Sequence, residues 1–239
     1  MIGVIIEVLS ITYNSSILAI IGLSIFFWGA IILYIKPVRH TPLTLLNAST
    51  TSNLKNLERI LSETKSTQKG LYLPPKYMKD LKSGLLYIPK KPKQPIPSQK
   101  EINQKKRGFS IQNGIVLTPP GLALSKLFEK ELGTSFLKLD LFQLQFRLPK
   151  ILIENLEIVK DVKMIIDSNK ITVKIVDNIL SDLCQETRKL PKTHKIVGCL
   201  LSSAIACALA KTTGKVVIIQ KEEQNPKDEV TIYYKLLED

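Results

Sequence analysis

IVGCLLSSAIACALA, residues 196–210, is a run of fifteen residues without a charge, closed at either end by Lys195 and Lys211. It is too short to cross a bilayer, which takes about 20 apolar residues, so it reads as a helix buried in a protein core. Gly198, Ser202, Ala206 and Ala210 fall four apart on one stripe. Small side chains at that spacing let another backbone come close, either inside the fold, against a pocket or across a dimer. Gly214 supplies the left-handed exit. VVIIQKE (216–222) and VTIYYKLL (230–237) then read as strands joined at Asn225-Pro226-Lys227-Asp228, a turn sequence.

The segment before this helix carries the same two signals. Residues 156–166 and 171–176 flank Asp167-Ser168-Asn169-Lys170, and ITVKIV alternates with β-branched residues, which is a hairpin pattern. Residues 177–189 read as a helix that Asp177 is placed to cap. FLKLDLFQLQFRL, from residue 136, alternates as a strand would until Leu141 and Phe142 break the period, and helix is the reading adopted over 136–154. IVLTPP (115–120) leads into GLALSKLFEKEL and Gly133, much as LYLPP (71–75) leads towards Gly84. In both, Pro suits the first turn of a helix and Gly its exit. The expected class is therefore α/β (α+β): two β-hairpins packed on helices over residues 111–239.

The opposite end of the chain is of another kind. Residues 16–35, SILAIIGLSIFFWGAIILYI, are twenty residues without a charge, about 30 Å as a helix. No Lys or Arg precedes Lys36, so the basic start of a secretory signal is missing. An uncleaved transmembrane helix is expected, with residues 1–15 outside the cell. Lys36, Arg39, Lys55 and Arg59 follow it, which by the positive-inside rule puts the rest of the chain in the cytoplasm. Residues 53–63 (NLKNLERILSE) form a short amphipathic helix, and the Pro-rich, basic residues 90–108 read as a linker.

Net charge sharpens that division. The chain is +13, from 34 Lys and Arg against 21 Asp and Glu, yet +12 of it sits in residues 36–110 and only +2 in 111–239. A uniformly basic nucleic-acid surface is thereby disfavoured, and residues 90–108 lack interleaved aromatics to stack on bases. Lys36, Arg39, Lys90, Lys91, Lys93, Lys105, Lys106 and Arg107 are the candidates for contact with anionic lipid, worth about 1 kcal/mol per base held at the surface.

Catalytic motifs are missing: no P-loop, GxGxxG, GxSxG or HExxH occurs. Cys184, His194, Cys199 and Cys207 are separated by 9, 4 and 7 residues, which matches no zinc spacing, and Cys199 and Cys207 lie in the apolar run as small hydrophobes. Glu154, Glu157 and Asp161 read as a solvated face. No metal, cofactor or catalytic residue is expected.

VKMIIDSNKITVKIV, GCLLSSAIACALAKTTGKVVIIQKEE and VTIYYKLLE, taken in that order, resemble the core of 4-vinyl-reductase-type ligand-binding domains and of the related TRAPP subunits. Those domains commonly carry cysteines in the last hairpin and residues 215–239 hold none, so no site residue is carried over. The apolar N-terminal helix, with the LPPKY, TPPG and GCLLSSAIACALAKTTGK phrases, also resembles uncharacterised archaeal single-pass membrane proteins. The expected function is a membrane-anchored cytoplasmic domain that binds a small apolar ligand or a protein partner, a second copy included. The alternatives are a membrane-associated scaffold and a tethered nucleic-acid binder.

Overall fold

The computed structural model describes residues 6, 8–9, 11–13, 15–34, 43–64, 66–77, 84–92, 94–98, 101, 110–111, 113–225 and 229–237. The chain divides into two units, Met1–Leu43 and Thr44–Asp239. The first contains helix α1 (Ser16–Tyr34), with large apolar side chains exposed along it, among them Ile17, Ile20, Leu23, Phe27 and Trp28.

Helix α2 (Leu43–Glu63) starts at the boundary and lies otherwise in the second unit, followed by β1 (Leu71–Leu73), β2 (Leu85–Pro89), β3 (Ser110–Ile111) and β4 (Gly114–Leu117). Helices α3 (Leu122–Leu132) and α4 (Leu141–Lys150) come next, then the hairpin β5 (Val159–Asp167) and β6 (Lys170–Asn178). Helices α5 (Ser181–Arg188), α6 (Pro191–Val197) and α7 (Leu200–Thr213) lead to the last hairpin, β7 (Val216–Asn225) and β8 (Glu229–Leu237). All the strand pairs are antiparallel, in the order β3-β4-β2-β1-β7-β8-β6-β5. The mixed class and both expected hairpins are present.

Alternation along the strands sorts their side chains into two cores. Tyr72, Leu86, Ile88, Val217, Ile219, Ile232 and Tyr234 pack with α7, α3 and α4 in the main one. Leu71, Leu73, Leu85, Tyr87 and Val216 form a smaller cluster, against which Tyr77 and Ile96 pack. Helix α7 lies at the centre of the main core, with every residue from Leu201 to Ala210 buried. Among the described residues Pro191–Thr213 is the stretch long and apolar enough to span a membrane by length and composition, and most of it is buried. The apolar stretch Ser16–Ile31 is shorter.

Several expectations need correction. Residues 71–89, expected in a basic juxtamembrane segment outside the 111–239 domain, belong to the same sheet as the C-terminal strands: β1 and β2 take internal places in it, and β1 pairs β7 across Leu71↔Ile218. The described part of the Pro-rich stretch, residues 90–92 and 94–98, and its approach make bonds of their own. The Lys90 and Lys91 amides donate to Gln94 Oε1 at 3.0 and 3.1 Å, Ser66 Oγ donates to the Pro89 carbonyl at 2.7 Å, and Pro97 is buried. Asp177 caps no helix. It lies in β6 at φ +52°, and Asn178 Oδ1 instead accepts the Leu180 amide at 2.9 Å.

Residues 136–154 are helical, as read: a 3-10 turn Phe136–Lys138, α4, and a π turn Ile151–Asn155. Helix α4 starts with a capping box, Asp140 Oδ1 accepting the Gln143 amide at 2.7 Å and Gln143 Oε1 accepting the Asp140 amide at 3.3 Å.

Candidate functional site

The run 196–210 is not one helix. It breaks at Gly198 and Cys199, and four groups from elsewhere in the fold fasten that break. The Gly70 amide donates to the Ile196 carbonyl at 2.8 Å, and Tyr72 OH donates to the Val197 carbonyl at 2.6 Å. Tyr234 OH donates to the Ser202 carbonyl at 3.0 Å. The fourth group is Glu222, whose side chain is 3% exposed. Its Oε1 accepts the Cys199 amide at 3.1 Å and the Ser202 hydroxyl, and its Oε2 meets His194 Nε2 at 3.1 Å. An ionised carboxylate only accepts, so His194 Nε2 carries the proton in this pair.

Burial pushes the Glu222 carboxyl up, but hydrogen bonds from His194, Ser202 and the Cys199 amide outweigh it and hold the group below the ordinary carboxylate range. Position at the N-terminus of α7 favours the same charge. Gly198 is required at the break twice over. It sits at φ +81° and ψ −174°, a region for glycine, and an added Cβ would meet Glu222 Oε1 at 2.4 Å. Replacing Tyr72 with Phe strands the buried Val197 carbonyl, and about 1 kcal/mol of stability should be lost, read as a lower urea midpoint at unchanged m-value.

Two further carboxylates do similar work. Glu58 of α2 accepts the Lys192 amide at 3.2 Å and the Thr193 amide and hydroxyl, each at 2.7 Å, at the start of α6. Burial opposes its charge, yet the Thr193 and Lys192 bonds hold it below its ordinary range. Glu129 of α3 accepts the Ser135 hydroxyl at 2.8 Å and the Phe136 amide at 2.7 Å, and pairs with Lys211 Nζ at 2.8 Å.

Of the stripe expected on 196–210, Ser202, Ala206 and Ala210 lie on α7 at 0, 0 and 1% exposure, packed within the chain's own core. They are an internal packing face, and Gly198 is in the break, off that helix. The close backbone approach occurs on another face of α7. An added Cβ on Gly121 would meet the Ala204 amide nitrogen at 2.1 Å, and the Gly121 amide donates to Ser203 Oγ at 3.0 Å. Neither Glu222 nor Gly121 was singled out from sequence.

The cysteines are buried and unpaired. A hydrogen bond with Cys184 and burial push the Cys199 thiol up, and burial pushes Cys207 up, which suppresses the nucleophilic thiolate. Among the described residues no three or more of His, Cys, Asp and Glu are grouped to hold a metal ion. Lys90 and Lys91 are exposed beyond β2; Lys36, Arg39, Lys93, Lys105, Lys106 and Arg107 lie outside the described residues.

The surface offers a groove of about 460 Å³ beside α3 and α4, with Leu132, Phe146 and Ile151 among its apolar lining and Glu131, Arg147, Lys150 and Asn155 around them. A second, of about 340 Å³, is lined by residues that include Glu157 and Asp177, both at positive φ.

A family described as a domain of unknown function, DUF7982, matches residues 1–235. The chain belongs to the DUF7982 family. A search of curated proteins returns no match. Among solved structures, a trafficking protein particle complex subunit 3 from Naegleria fowleri, covalently bound to palmitic acid, is similar at 15% identity and a TM-score of 0.31. The similarity covers 49% of the DUF7982 chain and 74% of that one.

Proposed function

We propose that this DUF7982 chain is a single-pass protein of an archaeal cell membrane, with a cytoplasmic, non-catalytic domain that binds an apolar ligand or partner surface. The observation that carries the reading is α1: nineteen uncharged residues whose large apolar side chains are exposed. Each Leu, Ile or Phe near the centre of such a helix favours insertion by about 0.5 kcal/mol. Lys36, Arg39, Lys55 and Arg59 follow it and support an N-terminus outside. The groove beside α3 and α4 supports apolar binding, since Leu132, Phe146 and Ile151 line it while longer polar side chains border it.

Alkaline carbonate extraction of cells producing the full chain tests the anchor, and protease added to intact cells tests its direction. Retention in the membrane pellet with residues 44–239 protected is the expected result. Release by carbonate would sink the anchor, and digestion of the folded unit from outside would reverse the topology.

A further inference from the structure

Among the described residues of the folded unit, the three most exposed large apolar side chains fall within ten residues. Leu137, Phe142 and Phe146 are 59, 67 and 61% exposed, and the two Phe rings meet edge to face at 4.8 Å. Leu141, Leu144 and Leu148 face the core from the same helix, so the Phe pair is not needed to close it. Arg147 and Lys150 are exposed beside the rings, Lys138 is exposed just ahead of α4, and no acidic residue occurs within Leu141–Lys150. Asp140 is occupied in the capping box, and Glu154 lies 3.7 Å from Lys150 with both side chains more than half exposed, a pair that water already screens.

We infer that this outer face of α4 docks on the anionic lipid surface of the bilayer that holds α1. The inference rests on the anchor reading above and names the apolar surface that the groove and its Phe146 wall meet. Phe rings beside long basic chains match the boundary between acyl chains and phosphate, where rings sink and Lys or Arg reach out to headgroups. A protein partner would instead favour a patch poor in lysine, and Lys138 and Lys150 flank the rings here. Two Phe and a Leu are a small area for holding a free protein at a membrane. For a chain already anchored, however, the bilayer is present at high effective concentration, so a weak surface suffices.

The single tryptophan, Trp28 in α1, makes the two claims separable. The full chain is reconstituted in vesicles of phosphatidylcholine and phosphatidylglycerol, with and without bromine near the headgroup end of the acyl chains. Quenching of Trp28 in the unaltered chain reports the anchor. A W28F/F142W chain reports α4, and its emission should fall about two-fold on brominated lipid, with most of the loss removed by R147Q/K150Q. Quenched Trp28 with unquenched F142W emission overturns the docking face and leaves the anchor standing. A blue-shifted F142W emission that bromine does not quench marks a protein occupant, a second copy included, and likewise overturns it. Unquenched Trp28 defeats the anchor reading and the inference with it.

Discussion

Glu222→Ala should destabilise the folded unit by about 3–4 kcal/mol, read from urea unfolding of the full chain in mild detergent by far-UV circular dichroism. The substitution deletes the acceptor of the Cys199 amide and the Ser202 hydroxyl and the partner of His194, all at a place where water has little access. Stranded buried donors cost more than the lost bonds contribute. Glu222→Gln keeps an acceptor for the amide and hydroxyl and should cost less, about 1–2 kcal/mol. It should also change the acid limb of stability. Glu222 is lowered from its ordinary 4.5 in the fold, so above that value its stabilisation is complete, and it is lost as pH falls through the depressed folded value. The Gln variant should therefore lose less stability than the parent between about pH 5 and pH 3. Equal acid losses in the two proteins would show that the folded carboxyl is not held low.

Glu58, Glu129 and Glu222 share a design: each carboxylate comes from one element and takes free amides at the start of another. The segments served are α6, the 3-10 turn at Phe136 and α7. None of the three has a capping box of its own, and a carboxylate from elsewhere ties the segment's start to its neighbour while satisfying those amides. Ser135 adds a local cap at the 3-10 turn and Cys199 a weak one at α7, where its sulfur accepts the Ser202 amide at 3.5 Å. By contrast α4, which carries Asp140 and Gln143 in place, receives no such outside carboxylate among the interactions described.

This explains which parts were legible in advance. The β5–β6 hairpin follows from period-two alternation, the β7–β8 hairpin from two apolar runs about the Asn225-Pro226-Lys227-Asp228 turn sequence, and the buried state of α7 from its missing charges. Glu222 was illegible because alternation itself misleads there. Val217 and Ile219 face the main core, so continued alternation would send Lys221 inward and Glu222 out. The register slips between Ile219 and Lys221, which inverts the faces and sets Glu222 opposite Ile232, a main-core residue. QKEEQ reads as polar surface in any local window. The Phe142 and Phe146 face was hidden for the converse reason: α4 is apolar on both sides, so period alone cannot say which side is buried. The place of β1 in the sheet was hidden because its partner Ile218 is 147 residues away from Leu71.

Gly121→Ala should be the other severe substitution, costing about 3 kcal/mol or more and lowering the urea midpoint accordingly. Backbone conformation is not the cause, since Gly121 sits at φ −81°, which alanine adopts freely. Space is the cause. The new Cβ would fall 2.1 Å from the Ala204 nitrogen, 2.5 Å from the Ser203 carbonyl carbon and 2.6 Å from the Ala204 Cα, all backbone atoms in the buried stretch of α7. No rotamer change relieves that contact, so α3 must move off α7, and the Gly121 amide then loses Ser203 Oγ. Gly133 provides the opposite control. It lies at φ +69° with open space around it, so alanine there meets strain without a clash and should cost only about 1 kcal/mol. Gly121→Ala also separates the close approach at Gly121 from the packing of the Ser202, Ala206 and Ala210 stripe. If the approach at Ser203 and Ala204 holds the layers together, Gly121→Ala exceeds Ala206→Ser in effect, because Ala206 adds one buried hydroxyl where Gly121 displaces a helix. A Gly121→Ala chain as stable as the parent would mean that α3 and α7 do not touch as described.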